Sequence, residues 1–111
     1  MSTCNTRNWK AIENRQPSTD SNPGVPFYVT GEVETTNGAL QPVLRVATPQ
    51  GINPGILILE LTIERVSDVG TTDIKYRDVR YDTRTSQGQY KHVQVRCGLD
   101  EIAFIDVQIV S

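Results

Sequence analysis

From Phe27 to Glu34 every second residue is apolar or glycine, with Phe27, Val29, Gly31 and Val33 set against Tyr28, Thr30, Glu32 and Glu34. A helix would scatter these residues around its circumference, whereas a strand places one set on each face. The segment can therefore bury one side only as a half-exposed β-strand. Gly31, on the inward side, predicts a bulge or the close approach of another backbone. Composition extends the argument to the whole chain: Val (12), Ile (9) and Thr (12) supply 33 of 111 residues against four Ala. Branching at Cβ fits the pleat and handicaps long helices, so a helical bundle is excluded. No run approaches the roughly 18 apolar residues of a membrane-spanning helix. A net charge of −2 excludes strong polyelectrolyte behaviour.

The pattern predicts six strands. The first starts at Val25 and is followed by Thr36-Asn37-Gly38-Ala39, where Asn-Gly predicts a type I′ turn and a tight hairpin. The second, Leu40–Ala47, is interrupted by Pro42, which marks an edge or bulged strand. Pro49–Gly55 reads as a corner between two sheets. Ile56–Glu64 begins apolar on both faces, as a central strand does. In Asp73–Asp82 the pair Ile74 and Tyr76 has one parity and the pair Val79 and Tyr81 the other, which predicts a bulge near Arg77-Asp78. Gln89–Cys97 and Glu101–Val110 complete the set. The expected fold is all-β: an antiparallel two-sheet sandwich of about six to seven strands, immunoglobulin-like or Greek-key, over residues 25–111. Residues 1–24 are expected to be a mostly irregular arm, dispensable to folding, because only Trp9 and Ile12 offer apolar area there.

Cys4 and Cys97 stand at opposite ends of the chain, without CxxC spacing. The simpler reading is a thiol in the arm and a small buried residue in a strand. The alternative is a bridge closing a 93-residue loop, for which the chain-entropy model gives about 4–5 kcal/mol. Residues 1–21 lack the apolar core of a secretory signal and no glycosylation sequon occurs, so cytoplasm is the default expectation, with a secreted or periplasmic location as the alternative should a signal have been removed.

Catalytic equipment is sparse. His92 is the single histidine, which leaves no usual zinc set, and no Gly-X-Ser-X-Gly elbow exists. Gly51–Gly55 is not followed by Lys-Ser/Thr, and Asp68–Asp73 lacks the alternating oxygens of a calcium loop. No cofactor, no metal and no enzymatic activity are expected, and nothing signals specific nucleic-acid binding. One asymmetry points toward function. Residues 73–96 carry six basic and three acidic groups, together with Tyr76, Tyr81 and Tyr90. Tyr and Arg are enriched at recognition surfaces. The expected reading is a non-catalytic binding module that meets a protein or other anionic partner through Arg77, Arg80, Tyr81, Tyr90, His92 and Arg96. Cross-strand pairing with Asp73, Asp78 and Asp82 is the plain structural alternative. A second functional reading is a structural subunit, with Ile56, Ile58, Ile102 and Phe104 facing another copy in a homodimer.

Overall fold

A computed structural model describes residues 4–16, 23–67 and 72–110, the side chains of residues 72 and 73 excepted. Seven strands occur and no helix is present among the described residues: β1 (Thr6–Asn14), β2 (Val25–Asn37), β3 (Leu40–Val46), β4 (Ile56–Arg65), β5 (Thr72–Thr85), β6 (His92–Cys97) and β7 (Asp100–Val110). They form one sheet in the order β3-β4-β6-β7-β1-β2-β5, curled so that β3 approaches β5 without a hydrogen-bonded ladder between them. The shape is nearly a barrel. The all-β class is as expected, but two stacked antiparallel sheets are not what the ladders build. β1 pairs with β7, and β4 with β6, in parallel. β7 serves both halves: its first part pairs with β6 and residues 107–110 pair with β1.

The largest departure from expectation is β1, which lies in the assumed arm and sits between β7 and β2. Its alternation is broken by a register shift between Arg7 and Lys10, where Asn8 adopts φ 58°. Asparagine tolerates that left-handed conformation better than most residues. The extra residue turns Trp9 inward, and Ala11 and Glu13 then continue the inner face. Gly31 lies directly beneath Trp9. A Cβ at Gly31 would stand 2.4 Å from Trp9 Cε3, so the close approach inferred at this glycine is that of an indole ring rather than a backbone. Trp9 Nε1 donates to Thr6 Oγ1 at 2.9 Å, which satisfies the indole's one polar atom. Residues 17–22 of the polar run lie outside the described residues.

The core is the barrel interior. Phe27, Val29 and Val33 of β2 meet Leu57, Leu59 and Leu61 of β4 and Val93 and Val95 of β6. A polar group closes each end. At one, Glu13, 1% exposed, accepts hydrogen bonds from Arg15 Nε and from the Gly88 backbone N–H, the latter at 3.0 Å. At the other, the buried Thr35 hydroxyl accepts from Arg77 Nε at 2.7 Å. Cys4 and Cys97 form a disulfide with Cα atoms 6.4 Å apart, against the expectation of two separate thiols. It ties the start of β1 to the end of β6, across β7. The long sequence separation hid this pairing, because only the strand order brings the two ends together.

Three local expectations are also corrected. Asn37-Gly38 does not make a two-residue hairpin: β2 pairs with β1 and β5, and β3 with β4. Asn37 does not take the positive φ of a type I′ turn; instead its side chain accepts the Ala39 N–H at 2.7 Å, and the chain turns from one half of the barrel to the other. The Pro49–Gly55 segment links β3 to its own neighbour β4 rather than to another sheet. There Gln50 acts as a surrogate strand residue: its amide accepts from the Ile58 N–H at 2.9 Å and donates to the Ile58 carbonyl at 2.9 Å. No bulge interrupts β5 near Arg77-Asp78; the β2–β5 register runs unbroken from Val25↔Thr85 to Thr35↔Lys75. The phase change there is a change of chemistry, since Tyr76 faces outward. Pro42 behaves as expected, on edge strand β3.

Gly31→Ala is expected to destabilise by about 1–3 kcal/mol, the usual range for overpacking, read as a lowered denaturation midpoint with loss of the native Trp9 fluorescence. A neutral Gly31→Ala would show that Trp9 does not rest there. Reduction of the Cys4–Cys97 bridge is expected to lower stability by up to about 4–5 kcal/mol, measured as the difference between melts with and without a thiol reductant.

Candidate functional site

The six residues expected to form a patch are not brought together. Tyr81 and Tyr90 pack against the core, Tyr90 edge-on to Phe27 with centroids 5.6 Å apart. Arg77 lies on the inward parity of β5, bonded to Thr35. Arg80 is on the outside of β5, with Nε at 2.8 and 2.9 Å from the two Asp82 carboxylate oxygens. His92 and Arg96 lie on the outside of the opposite half. His92 Nε2 is 3.0 Å from Asp106 Oδ1, and its ring stacks on Phe104 at 5.2 Å; Arg96 donates to Gln94 Oε1 at 3.3 Å. Of the four apolar residues considered for a dimer face, Ile56, Ile58 and Phe104 share the outside of β4, β6 and β7, but they differ in exposure. Ile58 is buried against Gly51, Ile102 packs on the core, Ile56 is half-buried, and Phe104 is 50% exposed.

A different arginine–tyrosine surface does assemble, on the outside of β1, β2 and β5. The β1–β2 and β2–β5 ladders align Arg7 with Glu32 and Asp78, Lys10 with Thr30 and Arg80, and Ile12 with Tyr28 and Asp82. The Arg7 guanidinium lies 3.8 Å above the Tyr76 ring and the Arg80 guanidinium 4.4 Å above Tyr28. Each cation is also held by a carboxylate, Arg7 to Glu32 at 3.3 Å and Arg80 to Asp82. Between the two stacks lies a depression of about 390 Å³ lined by Asn8, Thr30, Gly31, Glu32, Asp78, Val79 and Arg80. The bulge that turns Trp9 inward also brings Asn8 Nδ2 to 2.6 Å from Glu32 Oε1.

The electrostatics follow from these contacts. The Asn8 hydrogen bond, and after it that of Arg7, holds the Glu32 carboxyl below its ordinary value, while the Asp82 carboxylate raises Arg80. The face carries Arg7, Lys10, Arg80 and Arg84 against Glu32, Glu34, Asp78 and Asp82, so neither sign dominates. Of this surface, sequence reasoning found Arg80, named Tyr76 in the same stretch and Asp78 and Asp82 as possible pairing carboxylates, and missed Arg7, Lys10 and Tyr28. Tyr28 was readable from its outward parity in β2, but Arg7 and Lys10 needed β1.

Among the described residues no three of His, Cys, Asp and Glu gather as metal ligands. The Asp68–Asp73 segment weighed for calcium lies largely outside the described residues. Compared with protein-family models, curated proteins and solved structures, the chain matches none.

An NMR titration is expected to place the Glu32 midpoint below 4.5. Asn8→Ala and Arg7→Ala are each expected to raise it. Because the folded-state value is the lowered one, the associated stabilisation is complete above the unfolded-state value and is lost as pH falls through the folded one. A midpoint indifferent to Asn8→Ala would contradict the hydrogen bond.

Proposed function

We propose that this chain is a non-catalytic binding module that recognises a protein partner of mixed charge through the outside of β1, β2 and β5. The observation that carries the reading is the pair of arginine–tyrosine stacks flanking a shallow depression. Stacked and ion-paired, these side chains have already lost much of their rotamer freedom, so a partner meets rigid aromatic area at low ordering cost. Such amphipathic, pre-ordered residues supply the strongest contacts at protein interfaces. The balance of charge on the face suits another protein surface better than a polyanion, whose binding draws on a predominance of Lys and Arg.

Two further features support a binding role over catalysis. Both cysteines are consumed in the bridge, leaving no thiol nucleophile. His92 is on the far half of the barrel, engaged with Asp106 and Phe104. The bridge also fits work in an oxidising compartment, where disulfides persist, rather than in the reducing cytoplasm.

The test is a titration with a purified partner first captured by the wild-type chain. Tyr28→Ala/Tyr76→Ala is expected to weaken binding roughly tenfold or more, as loss of two aromatic anchors does. Phe104→Ala, on the outside of β7 in the opposite half, is expected to leave the affinity unchanged. The reverse pattern would transfer the site to the other half and end this reading.

A further inference from the structure

The outer face of β5 reads Asp78, Arg80, Asp82, Arg84, at alternate positions. About Tyr81 this pattern is antisymmetric in charge: Asp78 stands three residues from the centre opposite Arg84, and Arg80 stands one residue from it opposite Asp82. Two copies of such a strand, laid antiparallel about a two-fold axis at Tyr81, would place Arg80 against Asp82 and Asp78 against Arg84. Symmetry repeats each pair, so every one of the four outward charges meets its opposite.

The geometry points to a second copy of this chain as the partner of the β5 edge. β5 ends the strand order, and among the described residues no strand is hydrogen-bonded to its far side. β3 approaches that side, but with seven residues against fourteen it cannot cover the length of β5. An uncovered edge of this length presents a row of backbone donors and acceptors and is a template for another strand. The charges decide which strand fits. Moving the axis one residue, to Arg80, sets Arg80 against itself and Asp78 against Asp82. Moving it the other way, to Asp82, sets Asp82 against itself and Arg80 against Arg84. Like charges directly opposite one another are destabilising. Moves of two residues, to Val79 or Thr83, avoid them but pair only Asp78 with Arg80 or Asp82 with Arg84, so the Tyr81 register is favoured as the one in which all four charges meet an opposite.

The side chains are placed to take part. Arg80 and Asp82 are 55% and 60% exposed, and Asp78 and Arg84 are exposed too. Within one chain Arg80 bonds Asp82 two residues along the same strand. In the pair, each of these two meets the other chain's counterpart directly across the ladder, and the paired contact is added to the existing one. Such a dimer would be isologous and closed, using up the edge on both copies and leaving none for further growth. It would also run the β1–β2–β5 outer face of one copy continuously into that of the next. The inference does not require the partner proposed above, because it rests on the edge of β5; Arg80 and Asp82 belong to that edge and also to the stack on Tyr28, and the self-association measured below involves no other protein.

Sedimentation equilibrium over a dilution series reaching roughly millimolar protein, where even weak pairs associate, tests this on the full chain with its disulfide intact. The wild-type chain is expected to dimerise, more tightly at low than at high salt. Asp82→Arg is expected to weaken the dimer by roughly tenfold or more, since it turns two attractive pairs into repulsive ones. The swap Arg80→Asp/Asp82→Arg is expected to restore it, because the two positions face each other. Far-UV spectra and melts confirm that each variant is folded, and amide exchange reports whether residues 77–85 gain protection on association. A wild-type chain that stays monomeric throughout overturns the proposal without recourse to any variant. So does a dimer that ignores both the reversal and the swap, or one that leaves the β5 amides unprotected.

Discussion

Everything in this barrel depends on one contact, the Trp9 indole seated over Gly31. Neither β1 nor β2 can lie where it does without it. A side chain at residue 31 would displace the ring, and a β1 of unbroken alternation would point the ring at solvent. The bulge at Asn8 is the device that reconciles the two. It costs one unpaired residue in the ladder. In return the largest side chain of the protein enters the core opposite the one inward position with no side chain of its own. Once Trp9 is set, Ala11 and Glu13 follow inward by alternation, and the strand is fixed between β2 and β7.

That placement explains the mixed sheet. β1 enters beside β7 in parallel, a pairing that needs distant parts of the chain to meet and is slow to form for that reason. The disulfide joins the same distant parts, holding Cys4 ahead of β1 to Cys97 at the end of β6. It restricts the unfolded chain at the place where loop-closure entropy weighs most against the fold. The two polar ends complete the arrangement. Glu13 buried with Arg15 and Gly88, and Thr35 with Arg77, place satisfied hydrogen bonds at the two ends of a mostly apolar interior, in which the Thr85 hydroxyl alone among the described buried polar side-chain atoms lacks a partner.

Local pattern was a reliable guide to the strands and a poor one to their neighbours. The expected Leu40–Ala47, Ile56–Glu64 and Glu101–Val110 differ from β3, β4 and β7 by one residue at an end, whereas β5 runs three residues beyond the expected Asp82 and β6 starts three after the expected Gln89. Alternation decides such boundaries, and alternation is local. β1 escaped because its bulge breaks the period in the middle of a nine-residue strand, leaving Thr-Arg-Asn-Trp-Lys without a visible face. Asn37-Gly38 misled for the opposite reason: the local signal was clear, but β2 already has β1 and β5 as partners, so tertiary pairing overrode the turn preference. The apparent bulge at Arg77-Asp78 was a tyrosine facing outward beneath Arg7, a contact that only the placement of β1 reveals.

The candidate site was legible in kind and not in place. Arginine and tyrosine do assemble on a sheet face, but not those of residues 73–96 as a group. Residues close in sequence share a surface only if their strands are neighbours or their parities agree. β5 and β6 are separated in the sheet by β7, β1 and β2, which sends Arg80 to one side of the barrel and His92 and Arg96 to the other. Parity then divides β5 itself, taking Arg77 and Tyr81 inward and leaving Tyr76 and Arg80 outside. The surface that results draws Arg7 from the start of the chain, Tyr28 from β2 and Arg80 from β5, three residues that no window of sequence contains. A recognition surface on a curled mixed sheet is therefore a property of strand order first and of composition second.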